Sequence, residues 1–326
     1  MVTSRLSRTL SALNRSARTW APILSRNALS QVAQRLSPTS RNIDTSQTHR
    51  LSLVSWNIDG FSSRPVSRAK LILSHILDGP KAPDIIFLQE VTLDVRASLL
   101  NNARVRAAFL VTDAEDQTSF EGVPFATMTL LSRARFASDL DSQKEGDRIE
   151  AGGKFMLGCV SRVTLPSKYG RDGLCVDITP PTAPCTVFRL VNVHLDSLGD
   201  TLPYRAQQIK ILADVVREPR CCGGIIAGDF NAISPKDEGL VDENGLVDAW
   251  VELHGRAGPG GATWGVGVER QDGLGPGRLD KVAMMGLRAE EMEVLRPGHI
   301  EVPRPGEESV EIPWSDHYGL RCTLTI

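Results

Sequence analysis

Residues 223–233 read GGIIAGDFNAI, an apolar run of strand length that stops on Asp229 and Asn231. The same grammar recurs upstream. LSLVSWNIDG (51–60) stops on Asn57 and Asp59, IIFLQEV (85–91) on Glu90, and TVFRLVNVHLDS (186–197) on His194. Near the C-terminus the order inverts: Asp280 precedes KVAMM (281–285), and Asp316 with His317 precedes YGLRCTLTI (318–326). If those two strands run antiparallel to the others, all these polar groups meet at one sheet edge, where open α/β sheets place their sites.

Working outward, strand-length runs at 51–56, 84–88, 126–131, 155–164, 187–193, 223–227, 281–285 and 318–326 alternate with longer patterns at 67–77, 95–108 and 203–216. In the longer patterns apolar residues fall three or four apart, as on one face of a helix. This alternation predicts an α/β domain over 51–326. The longest irregular stretch, 255–277, holds nine Gly and two Pro; loops of that length in compact domains are commonly functional or disordered.

Residues 1–50 differ in kind. They carry eight Arg, no Lys and one acid, a formal +7, which leaves −9 for the rest of a 326-residue chain whose total is −2. Leu6, Leu10, Leu13, Ala17, Trp20 and Leu24 recur at helical spacing. The segment reads as an amphipathic organelle-targeting helix or as a disordered basic tail, followed by a polar linker from Pro38 to Arg50. Location inside the cell, in mitochondria or nucleus, is the matching expectation. The acidic remainder argues against a domain that coats nucleic acid through a general Lys/Arg excess, so such a substrate would be gripped locally. Six Cys without a C-x-x-C spacing point to reduced thiols, not to a zinc knuckle or a disulfide framework. No apolar run approaches the ~20 residues of a bilayer-spanning helix, so no membrane association is expected.

Taken singly, each polar group has a plain alternative. Asn57 with Asp59, or Asp229 with Asn231, could simply form strand-ending turns. His194 could be a satisfied core imidazole, and Asp280 an ion-pair partner of Lys281 or Arg278. Six strand ends converging on one edge favour chemistry instead. Asp, Glu and Asn without Cys make a hard oxygen site suited to Mg²⁺ or Mn²⁺, with Glu90 and Asp59 as candidate ligands and Asp316 supporting them. Asp229 can act on a water, while Asn231, Asn57 and His194 can donate to phosphate. His317 can stabilise charge developing at phosphorus, its ring oriented by Asp280.

The ordered set SWNIDG, LQEV, HLDS, GDFNAI, RLDKV and SDHYGL resembles the endonuclease/exonuclease/phosphatase superfamily over residues 51–326. Within it the chain looks most like the tyrosyl-DNA phosphodiesterase branch, on the strength of WNIDG (56–60), LVDAW (246–250), Thr263 with Trp264, and SDHYGL (315–320). The resemblance implies an αββα four-layer sandwich and a Mg²⁺-dependent enzyme that hydrolyses the bond between a tyrosine and a DNA 5′ phosphate, in DNA repair, as a monomer. It carries Asp59 and Glu90 over as cation ligands, Asp229 as acid/base and His317 as a phosphate contact. Asn57 and the segment from His194 to Ser197 fall where that family also touches phosphate, and Trp264 and Leu279 where it walls a groove for a single-stranded 5′ end. Two departures stand out: Phe230 fills the variable place of GDxN, and Asp196 stands where that family has Glu. Other superfamily substrates therefore stay in view, namely RNA or poly(A), abasic duplex, and phospholipid or inositol phosphates.

Overall fold

The structure, a computed structural model, describes residues 4–14, 17–23, 48–137, 153–183, 186–256, 260–267, 274–304 and 306–326. The first described strands are β1 (Arg5–Arg8), β2 (Leu10–Asn14), β3 (Thr19–Ile23), β4 (Arg50–Asn57), β5 (Ile85–Val91) and β6 (Phe109–Thr112). They are followed by β7 (Ala126–Ser132), β8 (Phe136–Ala137), β9 (Phe155–Thr164), β10 (Asp172–Thr179), β11 (Val187–His194) and β12 (Cys221–Asp229). The last are β13 (Val247–Asp248), β14 (Asp280–Met285), β15 (Arg288–Leu295), β16 (His299–Val302), β17 (Val310–Pro313) and β18 (Gly319–Thr325). The described α-helices are α1 (Pro65–Asp78), α2 (Leu93–Asn101), α3 (Ala103–Ala108), α4 (Leu202–Val216), α5 (Pro235–Glu243) and α6 (Ala249–His254).

Two large mixed sheets result. The first has the order β15-β18-β4-β5-β7-β6-β2-β3, and the second β1-β9-β10-β11-β12-β14-β13 with β8 beside β9. Period-two alternation sorts the side chains of each strand into layers. Leu51, Leu53, Ile85 and Phe87 of the first sheet meet Leu174, Leu190, Ile225 and Val282 of the second in a core between the sheets. Their neighbours Val54, Trp56, Ile86 and Leu88 face outward against Ile72, Leu73 and Ile76 of α1. On the opposite face Val191, Val193 and Ile226 pack on Ile209, Leu212 and Val216 of α4. Helix, sheet, sheet and helix therefore stack as the four expected layers, and burial of apolar area between them is the main favourable term.

The inverted grammar near the C-terminus has its structural counterpart. β14 runs antiparallel to β12 with Asp280 opposite Asp229, and β18 runs antiparallel to β4 with Leu320 opposite Ser55. Elsewhere the expectations need correction. The helix expected at 95–108 is two helices, because Asn102 closes α2 with its N–H and caps α3 with its side chain. Nor do the described residues 5–14 and 17–23 form a helix or stand apart from the domain. β1 pairs with β9 in the second sheet, and β2 pairs with β6 in the first, so the segment seals an edge of each. The physical reason is that Leu10 and Ala12 also alternate at period two and pack on the core between the sheets, and pairing an open edge satisfies backbone groups that a short isolated helix would hold only marginally. Residues 24–47, including Leu24 and Pro38, lie outside the described residues. The five described cysteines are free. Among the described residues no helix is long and apolar enough to cross a membrane.

Candidate active site

At one end of the core between the sheets, the alternation that placed leucines and isoleucines inward places polar groups instead. Asn57 follows Leu51 and Leu53 on the inward face of β4, His194 follows Leu190 on β11, Asp229 follows Ile225 on β12, and Asp280 precedes Val282 on β14. The site is thus the open end of the core, with one wall from each sheet.

Asn57 is the link between the walls. Its Nδ2 donates to Glu90 Oε1 at 3.1 Å in its own sheet and to Asp229 Oδ2 at 2.9 Å in the other. Its Oδ1 accepts the Asp59 N–H, which sets the turn that follows. The amide expected to touch phosphate is fully buried and spends both hydrogens on carboxylates. Asn231, also expected to contact phosphate, donates its Nδ2 to the Leu195 carbonyl and its backbone N–H to Asp229 Oδ1 at 2.8 Å, so it braces Asp229. Asp59, Glu90 and Asn231 all hold positive φ, between 49° and 57°, a region uncommon for residues other than glycine and often found where a site is held in shape. Gly60 completes the turn: its N–H donates to Glu90 Oε2, and a Cβ there would come within 2.5 Å of the Glu90 carbonyl.

The inner wall is a chain of titratable groups. His317 Nδ1 bonds Asp280 Oδ2 at 2.8 Å, His317 Nε2 lies 3.7 Å from Asp229 Oδ2, and His194 Nε2 lies 3.5 Å from the same oxygen. Burial raises the Asp229 carboxyl to about 7, against the pull of His317 and with Asp280 adding to it. Burial lowers the His317 imidazole, but Asp280 and Asp229 outweigh it and hold the ring well above the usual histidine range. His194 is pushed the other way, well below that range, by burial and by the positive charges of Arg171 and His317. The two imidazoles on either side of Asp229 are thereby set to opposite protonation tendencies, both within 3.7 Å of its Oδ2, as acid and base groups of an active site are.

The outer wall is more open. Burial raises Glu90, eased by the Asn57 amide, by His317 and by the Gly60 N–H, while Asp316 adds to the rise. Asp59 is differently placed from the expectation of a free ligand, since Arg68 Nη1 pairs with its Oδ2 at 3.2 Å and the Ser62 N–H with its Oδ1. Asp316 is exposed and accepts from Trp264 Nε1 at 3.1 Å. Trp264 is held beside the site by bridges to Gly277 and His317. Leu279, expected on an open groove wall, is buried, and its carbonyl accepts from Phe230. Ser197 accepts from Arg171 Nη2 at 3.4 Å, and the buried Asp196 ties the end of β11 to Ser167 and Lys168. Two sets could hold a cation: the oxygens of Glu90 and its acidic neighbours, or Asp229, Asp280 and His317, whose ligand atoms lie within 4.8 Å of one another. The second set is already bonded internally through the short bond between His317 and Asp280.

Sequence reasoning missed Arg171 and Phe125. Arg171 Nη2 sits 3.2 Å from His194 Nε2, its guanidinium lies 5.1 Å from the Phe125 ring, and that ring stacks on His194 at 5.4 Å. With Tyr169 they line a small, open cleft beside the site. Both were discoverable. Phe125 directly precedes β7 and Arg171 directly precedes β10, and these strands run antiparallel to β5 and β11. They obey the same inverted grammar as Asp280.

Comparison with known proteins bears on the fold and the family. The sequence matches the Endonuclease/Exonuclease/phosphatase family over residues 54–317. Similar solved folds include TDP2 from Caenorhabditis elegans, at 22% identity over 85% of this chain and 75% of that one with a TM-score of 0.59. TDP2 from D. rerio, complexed with a single-strand DNA product, is 20% identical over 84% of this chain and 98% of that one, with a TM-score of 0.60. The human Nocturnin catalytic domain with a bound sulfate is 18% identical over 85% and 96%, with a TM-score of 0.53. No curated protein sequence matches the chain. At these identities the structural likeness speaks to fold, while the sequence match, which spans both walls of the site, speaks to lineage: the chain belongs to the Endonuclease/Exonuclease/phosphatase family.

Proposed function

We propose that the chain is a Mg²⁺-dependent phosphodiesterase that releases tyrosine or a tyrosyl peptide from a DNA 5′ end. The observation that carries this reading is the cleft beside His194, where Tyr169 and the Arg171 guanidinium, backed by the buried Phe125, present an aromatic ring and a cation to an incoming aromatic group. Such a cleft suits an aromatic leaving group better than a sugar alkoxide. A phenol with a pKa of about 10 also departs with little help from a general acid.

The residues fit a hard divalent cation. Glu90 is raised chiefly by burial, with Asp316 adding to the rise, so an ion there offsets a carboxylate that its surroundings compensate only in part. When bound, the ion would neutralise charge on a phosphate oxygen. The remaining roles belong to the chain. Asp229, held at Oδ1 by the Asn231 N–H and at Oδ2 by Asn57, takes a proton from the attacking water; its raised pKa makes it an effective base near neutrality. As the water oxygen bonds to phosphorus and the bond to the phenolic oxygen breaks, His317 donates to the phosphate, with Asp280 holding its Nδ1. Arg171, which donates to the neutral His194 Nε2, supplies a further cation on the side of the aromatic cleft.

Purified chain with Mg²⁺ is expected to release tyrosine from a 5′-phosphotyrosyl oligonucleotide faster than it turns over poly(A), an abasic duplex or a phosphoinositide. Turnover of one of the others without tyrosine release would overturn the assignment. Mitochondrial or nuclear residence remains part of the proposal, and a diffuse signal from a fluorescent fusion of residues 1–50 would remove the mitochondrial arm.

A further inference from the structure

Glu90 occupies a break in the sheet. β5 and β7 are in register from Ile85 to Leu88, lose it, and resume at Val91 opposite Ala126, with Glu90 at φ 57° inside the gap. Breaks of this kind re-aim a side chain next to a site, and they leave backbone groups without ladder partners. At the last paired rung before this break, Leu88 opposite Met128, a side chain of the other sheet reaches in. Asn192 projects inward from β11 and is fully buried. Its Nδ2 donates to the Met128 carbonyl at 2.9 Å and the Leu88 carbonyl at 3.3 Å, and reaches Thr129 Oγ1 at 3.4 Å. Its Oδ1 accepts from Gln89 Nε2 at 2.8 Å, and the same Gln89 nitrogen reaches Ser55 Oγ on β4. One side chain of the second sheet thus bonds carbonyls of both strands at the edge of the break in the first, and it grips the residue adjacent to Glu90.

We propose that Asn192 is a positioning residue for Glu90, a peg that keeps the break between β5 and β7 open and thereby sets the carboxylate that receives the cation. This rests on the reading of Glu90 as a cation ligand. The peg also lies on the strand that ends in His194, two residues on, so it fixes the separation of the two walls at the depth of the site. An apolar side chain of similar size would remove the bonds that tie both strands to β11 at the break and take from the buried Gln89 amide its Asn192 acceptor, a penalty that closing or shifting the break would relieve.

The test compares Asn192→Leu with Val191→Ala, a truncation next to it on the outward face of β11. Asn192→Ser, which is smaller and keeps a hydroxyl donor, serves if Asn192→Leu does not fold. Mn²⁺ binding to the full chain is measured by titration without substrate, and hydrogen exchange is followed in peptides covering 85–91 and 126–132. Loss of an outer-shell partner commonly weakens a cation site about 10- to 100-fold, so the Asn192 variants should raise the Mn²⁺ dissociation constant about tenfold or more and speed exchange in both peptides. Val191→Ala should lower the unfolding temperature and move neither. Unchanged Mn²⁺ affinity and exchange in both Asn192 variants, or an equal shift in Val191→Ala, would overturn the proposal. Faster exchange in both peptides with no Mn²⁺ binding by the parent chain would leave the peg in place and remove the cation reading of Glu90.

Discussion

Asp229 and Glu90 are carboxylates joined to the same Asn57 amide, yet they stand in different surroundings. Asp229 lies at the bottom of the cleft, fully enclosed, among His194, His317 and Asp280. Glu90 lies at the rim, partly open, with the Asn57 amide, the Gly60 N–H, His317 and the exposed Asp316 nearby. The inner wall holds titratable groups between fixed partners, whereas the outer wall gathers the carboxylates of Asp59, Glu90 and Asp316, which Arg68 and His317 compensate only in part. A buried acid beside two imidazoles suits proton transfer, and a half-open acid suits a cation that keeps part of its water.

The largest effect should come from the inner wall. Asp229→Asn removes the base while keeping a group of the same shape, and steady-state kinetics should show kcat reduced by about 10³-fold or more. The same variant sharpens the contrast through stability. A carboxyl whose folded pKa is raised contributes stability only while protonated, so the parent loses stability as pH rises from the ordinary 3.8 through about 7. Denaturation from pH 4 to 8 should therefore show Asp229→Asn gaining on the parent as pH rises; a constant difference would show that burial does not perturb this acid. Next comes the outer wall: Glu90→Ala should lower kcat about 100-fold at low Mg²⁺.

Asp280→Asn is expected to be milder, about tenfold in kcat. Its signature is in the pH profile. His317 is held above its ordinary 6.5 partly by Asp280, so it stays charged to higher pH in the parent; the variant should lose activity at lower pH on the alkaline side. An unmoved alkaline limb would detach His317 from the chemistry. At the rim, Trp264→Ala should raise KM for a single-stranded substrate by an amount corresponding to about 1–3 kcal/mol of lost stacking, with kcat little changed.

Much of this contrast is legible in the sequence because each site group sits next to an apolar strand, and strand direction can be argued from whether the polar group follows or precedes it. That reasoning places Asn57, Glu90, His194, Asp229, Asp280 and His317 together. It fails for Asn192, a mid-strand residue whose partners are backbone carbonyls of the other sheet and leave no pattern along the chain. It fails for Arg68 too, because a guanidinium buried under the 58–63 turn looks in sequence like one more polar position on an amphipathic helix. In residues 5–23 the spacing of Leu6, Leu10 and Leu13 fits a helix as well as a strand. The choice is made by the open edges at β9 and β6, which no local pattern reveals.

The division of labour between the walls is tested most directly by titrating Mg²⁺ against kcat/KM for Glu90→Ala and Asp229→Asn side by side. We predict that high Mg²⁺ restores part of the activity of Glu90→Ala and none of that of Asp229→Asn. Equal restoration of both, or of Asp229→Asn alone, would contradict the account.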